Sequence, residues 1–184
     1  MDPDSSHKII ERFVARSQGH WRSMRSAHSL AFRQFEDVVS DIQIELLTVE
    51  DPVVFDFLEN EAIDAEMAIS PFRMSWEADS DWEPDDPASV SSGSCILIPI
   101  PENPQQGKLL RSVGYAEAEK VTSTYQFLDD ETFILHTTYG QSVAEERIWF
   151  VSEHVRCRSS VLRTSSGSGV LQTSFASEVR KLSA

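Results

Sequence analysis

The sequence predicts a mainly β protein: an antiparallel barrel of about ten strands with an N-terminal α-helix and one further short helix. Three observations predict it. Short segments rich in β-branched and aromatic residues recur along most of the chain, typically about five to ten residues long. The breaks between them are hairpin-length and made of turn residues, such as Asp129-Asp130, Gly140, Ser152-Glu153 and Ser165-Ser166-Gly167. Only two stretches repeat apolar residues at helical spacing. An antiparallel meander of this size closes on itself because closure removes the exposed strand edges, and such a barrel has room for one small ligand.

In chain order, the first element is the helix. Ser5 or Ser6 can cap it, Ile9, Phe13 and Val14 recur on one face, and Gly19 stops it. Strands are then expected at Trp21 to Phe35 and Ser40 to Leu47. After Asp51-Pro52, Val53, Val54, Phe57 and Leu58 mark the second helix. Further strands are expected at Ser70 to Trp76, Ser94 to Ile100, Gly107 to Tyr115, Lys120 to Phe127 and Thr132 to Thr138. The last three are Ser142 to Val151, His154 to Leu162 and Gly169 to Phe175. The chain reads as a single domain over residues 1–184, with 1–20 as a helical segment and 21–180 as a lipocalin-like barrel. Glu77 to Asp86 stands apart, with six carboxylates in ten residues. It reads as a solvated loop at the barrel mouth; a Ca²⁺ loop is the weaker reading, because the sharp-turn glycine is missing.

Composition excludes several classes. Hydrophobic residues make up 40% and charged residues 25% of the 184, which is globular rather than disordered. Sixteen Lys and Arg against thirty Asp and Glu leave a net charge of −14, which repels nucleic-acid backbones and anionic membranes. No apolar run approaches the roughly 20 residues of a membrane span. The first twenty residues carry charges throughout and lack the apolar stretch of a signal peptide. Cys95 and Cys157 are too few for a disulfide framework, as expected of a cytosolic or plastid stromal protein.

Familiar catalytic machineries are missing from the pattern. No G-x-S-x-G elbow or Gly-rich phosphate loop occurs, and the five histidines lack metal-ligand spacing, so no metal site is expected. What remains are charged and aromatic residues inside strands. Arg156 and Arg158 share one face, about 6–7 Å apart, and two guanidiniums side by side suit carboxylates. From spacing alone that face reads slightly better as solvent; if Val155, Cys157 and Val161 form the outer face, the arginines line the cavity. Phe72, Met74 and Trp76 share a face that reads first as core and otherwise as a flat wall for a planar ligand. Glu146 shares a face with Ile148 and Phe150, where a carboxylate needs a partner or a raised pKa. Arg25 shares one with Trp21, Ser23 and Ala27, an unusual mix for solvent.

Several runs together resemble the CpcS/CpeS family of phycobiliprotein lyases. They are Trp21-Arg22-Ser23-Met24-Arg25-Ser26-Ala27-His28-Ser29-Leu30-Ala31-Phe32 and Met74-Ser75-Trp76, with Trp82 shortly after. Then come Gly107-Lys108-Leu109-Leu110-Arg111, Gly114-Tyr115-Ala116-Glu117 and Glu145-Glu146-Arg147-Ile148-Trp149-Phe150. Val155-Arg156-Cys157-Arg158-Ser159-Ser160-Val161 and Ser177-Glu178-Val179-Arg180 complete the series. The resemblance spans nearly the whole chain from Trp21 and implies a calycin-type ten-stranded barrel. It implies an enzyme that attaches an open-chain tetrapyrrole bilin, such as phycocyanobilin, to a cysteine of a phycobiliprotein subunit. The bilin is then a substrate, with no tightly bound cofactor, and the apo-subunit is the partner.

The resemblance carries Arg25, His28, Met74, Trp76, Arg156 and Arg158 over as bilin-binding residues and Glu146 and Glu178 as residues that line or support the pocket, where the chemistry expects Glu146 or Glu178 as the catalytic group that protonates or hydrogen-bonds the pyrrole nitrogens. Ser29 stands where many members have a second His, and Met24 where Gln is common, which bears on bilin and acceptor choice. The acidic segment is a candidate for acceptor recognition, and relatives act as homodimers or with a related subunit. The rival readings are a non-catalytic carrier of a bilin, fatty acid or similar apolar carboxylate, and a purely structural assembly chaperone.

Overall fold

The computed structural model describes residues 8–30, 32–80, 92–112, 122–167 and 169–182. The strands are β1 (Gly19–Ser29), β2 (Gln34–Leu46), β3 (Phe72–Ser80), β4 (Ser92–Asn103) and β5 (Gln106–Arg111). They continue as β6 (Thr122–Phe127), β7 (Phe133–Tyr139), β8 (Ser142–Ser152), β9 (Val155–Thr164) and β10 (Val170–Arg180). The helices are α1 (Lys8–Ser17) and α2 (Pro52–Asn60), the latter followed by a 3₁₀ turn at Ala65–Met67. Each strand pairs antiparallel with its sequence neighbours, and β1 closes the barrel on β10, with Trp21 opposite Arg180.

Strand number and order match the sequence expectation; several boundaries do not, and β2 already begins at Gln34 rather than Ser40. Trp21 to Phe35 is broken, because the chain turns after Leu30 and Arg33 takes a left-handed conformation at φ 54°. No glycine or proline announces that turn, and its exposed Leu30 and Phe32 imitate strand residues. β3 runs past Trp76 to Ser80, pairing along β2, so the acidic stretch begins as strand. Residues 81–91, with Trp82 and most of that stretch, lie outside the described residues, as do Ser5, Ser6 and 113–121. β10 continues beyond Phe175 to Arg180, a length that matters for the site.

Strand alternation sorts the side chains into an inner and an outer set. At one end the inner set is apolar: Trp21, Ile44, Phe72, Phe127, Phe133 and Leu135 pack around α1, which inserts Ile10, Phe13 and Val14 as a plug. Phe13 stacks on Phe133 at 4.4 Å and meets Phe127 edge-on at 5.6 Å. α2 packs outside the barrel, burying Val54 and Leu58 against Ile98 and Ile100. Pro52 opens α2 at a position where its missing N–H costs nothing.

A latch fixes the plug. Gly19 joins α1 to β1 at φ 119°, a conformation that L side chains rarely adopt, and a Cβ there would lie 2.7 Å from Arg180 Nη1. Arg180 donates to the carbonyls of Gln18, of Arg16 at 2.6 Å and of Glu153 at 3.1 Å. It thereby satisfies carbonyls that the end of α1 leaves open and places a cation at the negative end of the helix. We expect Arg180→Ala to lower stability by about 2 kcal/mol, read as a lower urea midpoint with an unchanged slope.

Candidate functional site

Away from the plug the inner wall turns polar. Its centre is a triad on neighbouring strands, because β9 and β10 put Arg156 opposite Glu178, and β1 puts Ser23 on the far side of Glu178. Arg156 Nε donates to Glu178 Oε2, and Arg158 Nη2 donates to Glu178 Oε1 at 2.5 Å. Ser23 Oγ donates to the same Oε1 at 3.3 Å. Beneath the triad, the guanidiniums of Arg156 and Arg180 both lie over the Trp21 indole, 4.6 and 4.2 Å from its ring centre. The Trp21 Nε1–H donates to the Ser17 carbonyl at 2.9 Å, tying the triad to the plug.

Burial alone would raise the Glu178 pKa. The charges of Arg158 and Arg156, with their hydrogen bonds, outweigh it and hold the pKa at about 2. Burial likewise lowers the Arg156 pKa, opposed chiefly by the Glu178 charge.

This geometry redistributes the roles expected from sequence. The face of Arg156 and Arg158 is the inner wall, not solvent, and Val155, Cys157 and Val161 lie outside. Arg156 is 4% exposed and spent on Glu178 and Trp21, so it braces the wall. Arg158 is the member of the triad that opens to the lumen, with a quarter of its side chain accessible. Glu178 does not fit the expected role of proton donor. It is fully buried and ionised at neutral pH, so its chemistry is to hold the two arginines in place.

Glu146 does face the lumen, half-buried between Leu135 and Ser160 on the adjoining strands. It makes no hydrogen bond or ion pair among the described residues. Arg25 lies on the inner wall near the mouth, opposite Ala176 and 3.4 Å from Glu36. Met74 and Trp76 line the inner face of β3, half-buried and packed against the core, so the two readings of that face coexist. The indole has room because Gly93 stands opposite it on β4, where any Cβ would collide with Trp76 Cζ2.

His28 is not brought to this site. It lies an odd number of residues from Arg25, so the pleat turns it outward, exposed and 4.7 Å from the ring of Phe35. The histidine expected to bind bilin therefore sits on the outer wall. Sequence reasoning passed over Arg111 as a site residue. Its spacing of two from the buried Leu109 was the signal that it faces inward.

Fold and lumen together define a class: a closed antiparallel barrel of the calycin kind, plugged at one end and lined with charge and aromatic surface toward the other. Residues 9–181 match the family described as CpeS-like protein, and the chain belongs to that family. It is 49% identical to Chromophore lyase CpcS/CpeS 3 of Trichodesmium erythraeum, over 93% of this chain and 98% of that one. It is 34% identical to the Phycocyanobilin lyase subunit CpcS of Picosynechococcus, over 92% and 85% of the two chains. The solved structure of the S-type phycobiliprotein lyase CPES from Guillardia theta superposes with a TM-score of 0.81 at 40% identity, covering 95% of this chain and 94% of that one.

Proposed function

We propose that this protein is a phycobiliprotein chromophore lyase. It binds an open-chain bilin in the polar half of the barrel and attaches it through a thioether to a cysteine of a phycobiliprotein subunit. One observation carries the reading: the flat wall of Met74 and Trp76 on β3 faces across the barrel toward Arg158 on β9, which Glu178 holds in place. A bilin offers matching chemistry, with conjugated rings for the wall and propionates for the guanidinium.

The acceptor thiol adds across the exocyclic ethylidene double bond of the bilin. Sulfur bonds the ethylidene carbon, the proton passes to the conjugated system, and no group leaves. Glu146, the lumen carboxyl without a partner among the described residues, protonates or hydrogen-bonds the pyrrole nitrogens, and a proton given to a ring nitrogen makes that carbon more electrophilic. The remaining catalysis is positioning, with one end of the bilin presented to the acceptor. The bilin is substrate, and no tightly bound cofactor is required. The reaction belongs where phycobiliproteins are made, in a cyanobacterial cytoplasm or plastid stroma, and the lyase works as a homodimer or with a related subunit. No helix of the described residues is long and apolar enough to cross a membrane.

The test mixes the protein with phycocyanobilin and an apo-phycobiliprotein subunit, then follows covalent bilin on the denatured acceptor. Rapid attachment that disappears when the acceptor cysteine is replaced by serine is expected. Binding without faster attachment would leave the carrier reading, which the lyase names of the relatives do not favour. Arg158→Ala is expected to weaken bilin binding about 10- to 100-fold, the worth of one charge-assisted hydrogen bond. Unchanged affinity in a titration would remove Arg158 from the site.

A further inference from the structure

We infer that Arg111 is a second carboxylate anchor, set on the wall opposite Arg158, so that this barrel selects ligands carrying two carboxylates. The inference rests on the bilin reading above and adds a residue to it.

Four arginines face the polar half of the lumen, and three have a carboxylate partner. Arg25 meets Glu36, while Arg156 and Arg158 share Glu178. Among the described residues, Arg111 makes neither a hydrogen bond nor an ion pair. Its Nε is shut off from solvent and meets no acceptor. A charged donor buried without an acceptor is costly, and such groups are normally paired. On the β4 side no described residue supplies an acceptor: Leu97 stands opposite, and the nearby Cys95 is a buried thiol whose pKa burial raises.

Topology gives the vacancy its meaning. Around the ring of ten strands, β5 lies directly across from β10 and nearly across from β9. Arg111 therefore lies on the strand across the ring from Glu178, with β4 between it and the wall of Met74 and Trp76 on β3. A dianionic ligand lying against that wall is anchored at both sides of the barrel, which fixes its direction as well as its depth. A monocarboxylate, such as a fatty acid, answers only one of the two cations. Arg111 is thus a specificity device that a simple fatty-acid carrier does not need.

The experiment titrates wild type, Arg111→Gln and Arg111→Lys with phycocyanobilin diacid and with its dimethyl ester, and records unfolding midpoints for all three proteins. Arg111→Gln is expected to weaken the diacid about 10- to 100-fold while leaving the ester nearly unaffected. Arg111→Lys should fall between wild type and Arg111→Gln for the diacid. Removal of an arginine whose Nε meets no acceptor should leave the unfolding midpoint of Arg111→Gln unchanged or raised, whereas a structural arginine would lower it. Equal diacid affinity in wild type and Arg111→Gln, or an equal penalty for esterification in both, overturns the anchor. Wild type binding neither form overturns the bilin reading itself, a failure seen before any variant is compared.

Discussion

Glu178→Ala should destabilise the protein by about 3–5 kcal/mol, the cost of leaving buried charge uncompensated. The variant strands Arg156, which is 4% exposed, and leaves Arg158 beside it with no shared carboxylate. In a chain of 184 residues this corresponds to a melting temperature lower by roughly 10 °C. Replacing all three members of the triad by apolar residues of similar volume should restore much of the loss, because the pair attraction and its desolvation cost then vanish together.

The same carboxylate sets an acid limb. Its folded pKa is about 2, below the ordinary 4.5, so its contribution is fully present above that ordinary value. It is lost as pH falls from 4.5 through 2, and amounts to about 3 kcal/mol. Urea unfolding between pH 6 and pH 3 should therefore show a steep loss in wild type that Glu178→Ala lacks. Equal slopes in the two proteins would mean that the triad does not carry this acid sensitivity.

Trp21→Ala is the second large effect, expected to remove about 3–5 kcal/mol. The indole is fully buried, lies 6.2 Å from the Phe150 ring, carries two guanidiniums on its surface and donates to the end of α1. Its loss opens a cavity where plug, triad and latch meet. Trp21→Phe keeps most of the volume but not the Nε1–H, so it should cost less, and denaturant midpoints for the two variants separate packing from hydrogen bonding. A loss below about 1 kcal/mol for Trp21→Ala would show that the plug does not depend on this residue.

Much of this was legible in the residues, for identifiable reasons. Period-two alternation and polar turns are local signals, and they yield ten strands in the observed order. The spacing of Arg156 and Arg158 put them on one face, and their apolar neighbours Val155, Cys157 and Val161 left open which way that face pointed. Three features were misread, each for its own physical reason. Glu178 was carried in by its motif as a partner of the pyrrole nitrogens, and its pairing shows only where β10 lies against β9 and it meets an arginine 22 residues away. Arg33 turns the chain without a glycine, so a continuous strand was the natural reading. His28 was carried into the site by its motif, although its odd spacing from Arg25 turns it outward.

The seam between β1 and β10 sets the order in which this molecule can be made. The first and last strands of the barrel are partners, so it stays an open sheet until β10 has been made. β10 also brings Glu178, the counter-ion for two arginines already placed on β9. A nascent chain that has released β1 to β9 but not β10 holds a cationic pair with no carboxylate between them and two raw edges able to recruit other strands. The last eleven-residue strand thus closes the ring and neutralises its interior in one step. Chains cut short before it should populate aggregates rather than a smaller folded lyase.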